Sequence, residues 1–331
     1  MPVNHKLKIF LNYFLGPVIF IWVSFSIYRR IIRQPHLHEA WLAIRESLSG
    51  PRCWYLVAAA LLMFVNWGIE ARKWQLLVDK LEKIGFRKAY FSVLTGVSIS
   101  VNTPNRIGEY GGRILYLKPE NRLKAISLNM VTSVSQLIVT MVMGVAGVLY
   151  LVYSFPVAQL HDHGLTVFWT NILIYGGLGF SVITVVLYFR LSWLTRVLES
   201  VPALKKVKPY IEVLDHFEWT TLFRMLVLSA IRFVVFVSQY ILLFRLLQVE
   251  VTWWQGFWVV SVLMLILAVI PTITMTEFVV RGEAAIALMG LFSDNIIGIG
   301  TASFAIWIIN LIIPALLGSL LILGIKIIKD K

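Results

Sequence analysis

The chain has 331 residues, of which 59% are apolar and 14% are charged, and its formal net charge is +13. Soluble domains carry about 45–50% apolar and about 25% charged residues. This composition excludes a soluble fold, because so few charges cannot cover a water-exposed surface. The basic residues stand in short runs between apolar segments, which is typical of a polytopic membrane protein beside anionic lipid and not of a nucleic-acid-binding protein.

Six apolar segments are each close to the length of about 20 residues that a bilayer crossing requires. Two further apolar regions, 88–117 and 253–291, are interrupted near Pro104 and Pro271. Proline lacks a backbone N–H, and lipid offers no replacement partner, so such breaks belong where protein or water lines them. We therefore expect two re-entrant helical hairpins. The six spans lie at residues 9–28, 53–70, 125–152, 168–189, 222–247 and 297–324.

The distribution of Lys and Arg among the loops predicts the topology. Basic residues accumulate in the links 71–87 and 190–221 and in the C-terminal tail, whereas the 154–167 link has none. By the positive-inside rule, we expect a multi-pass protein of the cytoplasmic (inner) membrane with both termini in the cytoplasm. The 29–52 link opposes this assignment, because it is placed outside yet holds five arginines.

The two halves of the chain, about 1–153 and about 164–331, share one order of elements: two spans, one hairpin and one span. Each half crosses the membrane an odd number of times, so the halves are inverted. The motif Glu-aromatic-x-x-Arg follows both proline breaks, at 109–113 and 277–281. The sequence thus predicts an all-α inverted repeat of six spanning helices plus two broken hairpins, forming a single membrane domain at 1–331 without a soluble synthase domain.

The charged residues around the breaks are the candidate substrate-binding groups. A Glu and an Arg four residues apart share one helix face, and charges at membrane depth need a partner or a wet cavity. Helix N-termini that point toward the midplane favour an anion such as phosphate. The alternative is that the ion pairs only hold the hairpins together. The candidates are Asn102, Thr103, Asn105, Arg106, Gly108, Glu109, Arg113, Arg232, Thr274, Thr276, Glu277, Arg281 and Glu283.

Arg232 lies near the middle of its span, so it needs a carboxylate or a lipid phosphate. We expect Glu277 or Glu283 as its partner. The polar group that directly follows the second span is interpreted as an interfacial anchor. That group consists of Glu70, Arg72 and Lys73.

Several of these motifs resemble the lysylphosphatidylglycerol synthase transmembrane-region family, which includes the flippase domain of the bacterial multiple peptide resistance factor. The likeness spans nearly the whole chain. Its most specific part is the run Pro-x-Arg-x-Gly-Glu, which assigns Arg106, Gly108 and Glu109 to the family pattern. The other similar parts are the Pro271 break with Glu277 and 281–283, and the late run 307–310 with Pro314 and Gly318.

The resemblance implies a lipid flippase-like transporter that moves an anionic or aminoacylated phospholipid, or a polyprenyl phosphate, between leaflets. The family's soluble aminoacyl-transferase domain would have to follow the last span, and only seven residues follow Gly324. We therefore expect a transporter rather than an enzyme, with no catalytic residue, metal or cofactor. The alternatives are a lipid-modifying enzyme for glycosyl or aminoacyl transfer, with Glu109 or Glu283 as base, and an accessory subunit of a separate lipid synthase. A homo-oligomer stays open.

Overall fold

A computed structural model of the chain describes residues 50–100, 107–162, 166–190, 214, 217–270 and 274–329. Within these ranges the regular elements are helices, and no β-strand occurs. Among the described residues, five helical segments are long and apolar enough to cross a membrane: Pro51–Val78, Pro119–Ser154, Val167–Phe189, Trp219–Leu246 and Ile296–Leu321. The all-α polytopic fold is thus confirmed, and the first predicted span, 9–28, lies outside the described residues.

Twelve α-helices follow one another in the described part of the chain. A 3-10 turn (Pro51–Cys53) precedes the first, and π turns (Ile172–Gly176 and Ile308–Ile312) join the sixth to the seventh and the eleventh to the twelfth. The helices are α1 (Trp54–Val78), α2 (Phe86–Ser100), α3 (Gly108–Ile114), α4 (Pro119–Ser154), α5 (Val157–Asp162), α6 (Val167–Asn171), α7 (Gly177–Phe189), α8 (Trp219–Leu246), α9 (Trp253–Val269), α10 (Thr274–Met289), α11 (Ile296–Trp307) and α12 (Ile313–Lys329).

Local chemistry explains where several helices begin. Pro119 occupies the first turn of α4, where its missing N–H costs nothing. Thr252 and Gln255 form a capping box at the start of α9. The second π turn ends two residues before Pro314, which cannot donate to the preceding turn and whose ring crowds it, so the helix widens there.

The two broken regions form pairs of short helices, as the prolines predict. The described part of helix α2, Phe86–Ser100, has 15 residues. Helix α3 folds back onto α2 at two glycines: a Cβ built on Gly112 would lie 2.5 Å from the Cα atom of Gly96. Only glycine permits backbones this close. The break at 101–106 lies outside the described residues, and re-entry from one membrane face stays a prediction.

Helices α1 and α8 are the second span of each predicted half, and they pack against each other in antiparallel directions. The amide Nε2 of Gln239 donates to the carbonyl oxygen of Ala59 over 2.8 Å, and Arg232 lies 3.5 Å from Glu70. Moving forward along α1 therefore means moving backward along α8. An inverted repeat requires this relation between corresponding helices.

Two further helix contacts also relate the two predicted halves to each other. Helix α9, the first arm of the second hairpin, runs antiparallel to α4: Gly144 lies against Leu265, and the Tyr150 ring stacks on Trp258 with centroids 6.1 Å apart. Helix α2, the first arm of the first hairpin, packs on α12. Exchanging the two predicted halves converts one contact into the other. The symmetry of the complete halves stays a prediction.

The described loops gather at the two ends of the bundle. At one end the 79–85 loop meets the start of α4, where Glu82 accepts a hydrogen bond of 2.9 Å from Asn121. At the opposite end the backbone N–H of Glu250, after α8, donates over 3.4 Å to Ser293, after α10. This grouping agrees with the predicted topology. Which end is cytoplasmic stays a prediction.

Candidate functional site

A buried carboxylate on α1, Glu70, meets three cations inside the helix bundle. Its side chain is 6% exposed. Arg113 of α3 donates to Oε1 over 2.9 Å, while Lys73 and Arg232 lie 3.4 Å and 3.5 Å from Oε2. A lone ionised carboxylate at this depth would cost several kcal/mol. These three cations therefore stabilise the ionised form of Glu70 within the bundle.

Arg113 connects the first hairpin to two membrane-crossing helices. Its side chain is 1% exposed and pairs with Glu70 of α1 and, on its own helix, with Glu109. It also donates to the Oδ1 atom of Asn129 on α4 over 2.7 Å, and its guanidinium lies 5.7 Å from the centre of the Trp74 ring. The predicted pairing of Glu109 with Arg113 is confirmed.

Lys73 is fully buried and holds α1 to α4. Its ammonium donates to the carbonyl oxygen of Thr132 over 3.1 Å and pairs with Glu70. The interpretation of this segment as an interfacial anchor is wrong for Glu70 and Lys73, which are buried because α1 continues to Val78 instead of ending at residue 70. Of the three predicted anchor residues, Arg72 alone is exposed.

Arg232 of α8 pairs with a carboxylate on α1. Among the described side chains its partner is Glu70, because the antiparallel packing of α1 and α8 brings Arg232 level with Glu70. The side chain of Glu277 lies outside the described residues, and a pairing of Arg232 with Glu277 or Glu283 stays a prediction. Its Nη1 atom also donates to the side-chain oxygen of Gln136 on α4, over 3.3 Å.

These residues form a line of alternating charge that crosses three helices. It runs from Glu109 to Arg113, Glu70 and Arg232, with Lys73 beside its centre. The inner groups are buried, whereas Glu109 and Arg232 at the ends keep 21% and 20% of their side-chain surface exposed. This ion cluster, as described, holds three cations against two carboxylates. The described members thus carry one more positive than negative charge, and the two end members are partly exposed.

A family model described as lysylphosphatidylglycerol synthase TM region matches residues 13–318 of the chain. The chain belongs to this family. The resemblance seen in the sequence is thereby confirmed, and the protein is a multi-pass membrane protein of a family associated with lipid flippase and synthase function. No curated protein matches the chain.

The arginine of the second hairpin has a different type of partner from Arg113 of the first. Arg281 of α10 is buried and donates to the hydroxyl oxygen of Tyr240 on α8 over 3.0 Å. In both predicted halves the hairpin arginine thus contacts the second span of its own half, through a carboxylate in the first and a phenol in the second. The pairing of Glu277 with Arg281 stays a prediction, because the side chains of Thr274, Thr276 and Glu277 lie outside the described residues.

The structure brings together three of the predicted site residues and adds two that sequence reasoning missed. Glu109, Arg113 and Arg232 meet in the ion cluster, and Gly108 begins the helix that holds the first two. Half-buried Glu283 lies on the second hairpin. The positions of Asn102, Thr103, Asn105 and Arg106 lie outside the described residues.

The missed residues, Glu70 and Lys73, carried a signal in the helical period. The buried positions of α1 recur every three or four residues, and both charges continue that stripe. Extending the period beyond residue 70 would have placed them on the inner face. The stripe consists of Ala59, Met63, Asn66, Trp67, Glu70, Lys73, Trp74 and Leu77.

Proposed function

We propose that this protein translocates a lipid with a phosphate-bearing headgroup, a phospholipid or a polyprenyl phosphate, between the leaflets of the cytoplasmic membrane. The observation that carries the proposal is the ion cluster, which among the described residues has more cations than carboxylates and lies within a bundle of membrane-length helices. Charged groups at such depth mark substrate pathways by default. An anionic headgroup supplies the charge that the cluster lacks.

Arg232 is the group that meets the phosphate first. Its contacts to Gln136 and Glu70, at 3.3 Å and 3.5 Å, are longer than the 2.7–2.9 Å of strong charge-assisted hydrogen bonds. Among the described residues its buried Nε atom has no hydrogen-bond partner. Guanidinium binds phosphate with two parallel hydrogen bonds, so exchanging these partners for a phosphate strengthens its contacts.

The charge of Glu70 stays neutralised when Arg232 exchanges its protein partners for the phosphate. Arg113 and Lys73 remain beside the carboxylate when Arg232 turns to the lipid. The cluster therefore releases one arginine without stranding a buried charge, which would cost several kcal/mol. This makes Arg232 the exchangeable member and Arg113 the structural one.

Glu109 lies at the end of the ion cluster opposite Arg232. Its partly exposed carboxylate pairs with Arg113, and it is placed to exchange this partner for a proton or for the ammonium of an aminoacylated headgroup. The proposal also includes the predicted phosphate contacts of Arg106 and of the backbone at the two breaks. The free energy for net transport comes from a gradient or from consumption of the lipid.

The proposed architecture is one membrane domain of two inverted halves, about 1–153 and about 164–331, with both termini in the cytoplasm. The hairpins approach each other from opposite faces and shield the headgroup while the tails stay in the bilayer. The antiparallel packing of α1 and α8 supports this arrangement, as does the matching pair of contacts between hairpins and spans.

Transport of a fluorescent phospholipid in proteoliposomes, followed by dithionite accessibility, tests the function. We expect Arg232→Gln to slow transport by about 10–100-fold, because one charge-assisted contact contributes about 1.5–3 kcal/mol. Arg224→Gln is the matched control, since Arg224 is exposed on the same helix. Equal rates for both variants contradict the proposal.

The same vesicles separate transport from the alternatives. Mass spectrometry of the recovered lipid shows no covalent change if the protein is a transporter, whereas a lipid-modifying enzyme converts the headgroup when a donor is supplied. Absence of transport by the unaltered chain, together with recovery of a bound synthase from its own membranes, favours the accessory-subunit function.

A further inference from the structure

An apolar cavity of about 370 Å³ lies on another face of α4 from the ion cluster. Leu137 and Met141, near the middle of α4, form its inner wall. The π turn and the start of α7 form a second wall, and Leu265 and Val269, in the last turns of α9, form a third. The cavity therefore lies at mid-height of the bundle, beside the end of α9, the first arm of the second hairpin.

The lining and the opening of the cavity indicate its occupant. All ten lining residues are apolar or glycine. Ile172, Phe180 and Val269 at its rim remain 43–57% exposed, so the cavity opens to the side. At mid-height of membrane-crossing helices that side faces lipid hydrocarbon. Water does not occupy apolar cavities stably, and the volume lies within the range of about 300–1,000 Å³ for ligand pockets.

The position of the cavity relates it to the ion cluster. Leu137 directly follows Gln136, which binds Arg232, so the cavity and the exposed arginine lie at the same level of α4. One wall belongs to the arm of the second hairpin that ends at residue 269, and another contains a π turn, an element found frequently at functional sites. The walls are thus formed by elements that a transport cycle would use.

We infer that this cavity binds one hydrocarbon chain of the transported lipid. The inference rests on the proposed function and extends it from the headgroup to the tail. A phospholipid acyl chain and an isoprenoid chain share the chemistry that the cavity selects. The occupancy of the cavity also links the tail to the second hairpin, because Leu265 and Val269 contact the chain.

Two glycines of the π turn and α7 allow a matched test. Gly176 lines the cavity, and a Cβ atom there has 3.9 Å to its nearest neighbour, Ile172, so Gly176→Leu can be accommodated and narrows the cavity. Gly179, three residues later, faces open space and does not line it. Gly179→Leu therefore makes the same chemical change on the same helical segment and leaves the cavity open.

The experiment uses the full chain in proteoliposomes with two photoreactive probes, a phospholipid and a polyprenyl phosphate, each with a diazirine near the end of its chain. Peptide mapping after illumination locates the labelled residues. We expect one probe to label α4 near Met141 in the parent and in Gly179→Leu. In Gly176→Leu this labelling and the transport rate fall by about tenfold, equivalent to about 1.4 kcal/mol.

Other outcomes overturn the inference. Equal labelling in both leucine variants, or labelling spread over all lipid-facing helices, shows ordinary annular lipid. Transport by the parent without any labelling at the cavity contradicts the tail site and leaves the proposed function standing. Labelling that Gly176→Leu removes, in a parent that moves no lipid, supports a chain site and contradicts the proposed function instead.

Discussion

Arg113 and Glu70 lie 2.9 Å apart, and this contact joins the first hairpin to the first described membrane-crossing helix. The two residues are 43 positions apart in the chain and occur on different helices. Both are buried, so the pair is shielded from water and from salt. Glu70 in turn joins the hairpin to α8 through Arg232. One carboxylate thus connects a hairpin of the first predicted half to a span of the second.

Glu70→Gln should destabilise the protein strongly. The substitution removes the carboxylate that pairs with buried Lys73 and leaves Arg113 with Glu109 alone, and breaking a buried ion pair in this way costs about 3–5 kcal/mol. We expect a clearly lower unfolding temperature in mild detergent, measured by tryptophan fluorescence or by differential scanning. Glu218→Gln, at an exposed position before α8, serves as control. An unchanged unfolding temperature for Glu70→Gln would show that the ion cluster is not structural.

Gly112→Ala should separate the arms of the first hairpin. The added methyl group would lie 2.5 Å from Gly96 Cα, and overpacking of this kind costs about 1–3 kcal/mol. The neighbouring Gly111 has no atom within 4 Å of its Cβ position. Gly111→Ala should therefore be neutral or stabilise the helix by up to about 1 kcal/mol. Thermal unfolding of the two variants checks the difference, and a reversed order would refute the close packing.

Glu82→Gln should show a pH-dependent effect. Burial raises the pKa of Glu82, but hydrogen bonds from Asn121 and from the Lys118 backbone favour the charged carboxylate and bring the pKa below its ordinary value of 4.5. Because the folded-state pKa is depressed, the carboxylate stabilises the fold above the unfolded pKa, and this stability is lost as the pH falls through the folded pKa.

The expected measurement is a lower unfolding temperature for Glu82→Gln at neutral pH, by an amount equivalent to about 1 kcal/mol. The difference from the parent should shrink below about pH 4.5. Glu250→Gln, at an exposed position at the other end of the bundle, should show no such trend. A difference that is constant with pH would assign the effect of Glu82→Gln to shape and not to charge.

The membrane orientation can be tested at two exposed loop positions. After Cys53→Ser, a single cysteine at Lys83 should react with a thiol reagent only when the cytoplasmic side is open. A single cysteine at Asp162 should react with an impermeant reagent in intact cells, since the 71–87 link is basic and the 154–167 link has no Lys or Arg. Labelling of position 83 from outside would invert the predicted topology.

The spanning helices could be predicted from the sequence because the bilayer sets the length of a spanning segment and requires an apolar composition. The span predicted at 222–247 closely matches α8, and the prolines correctly indicated two interrupted regions. The pairing of Glu109 with Arg113 was also predictable, since residues four apart share a helix face. These features depend only on the residue spacing within one segment or on the bilayer as solvent, so they can be predicted for each segment by itself.

The partners of Arg232 and Lys73 could not be predicted in the same way. Each contact depends on which helices pack together and at what level, and the composition of a single span contains neither fact. The charge at Glu70 also suggested the end of a span, because charged residues usually stop at the interface. The tertiary contacts outweighed this tendency: three cations at the inner face make the carboxylate compatible with a buried turn of α1.

The contact between Gly96 and Gly112 has a consequence for the route of a transported lipid. Where two backbones touch, no headgroup can pass between the arms of the hairpin. The first hairpin is then a partition and not a pore. Under the proposed function, a headgroup travels around the outside of the hairpin, where Glu109 and Arg232 are the partly exposed members of the ion cluster. In that proposal the tails follow through the neighbouring hydrocarbon, so the polar headgroup and the apolar tails move along adjacent paths.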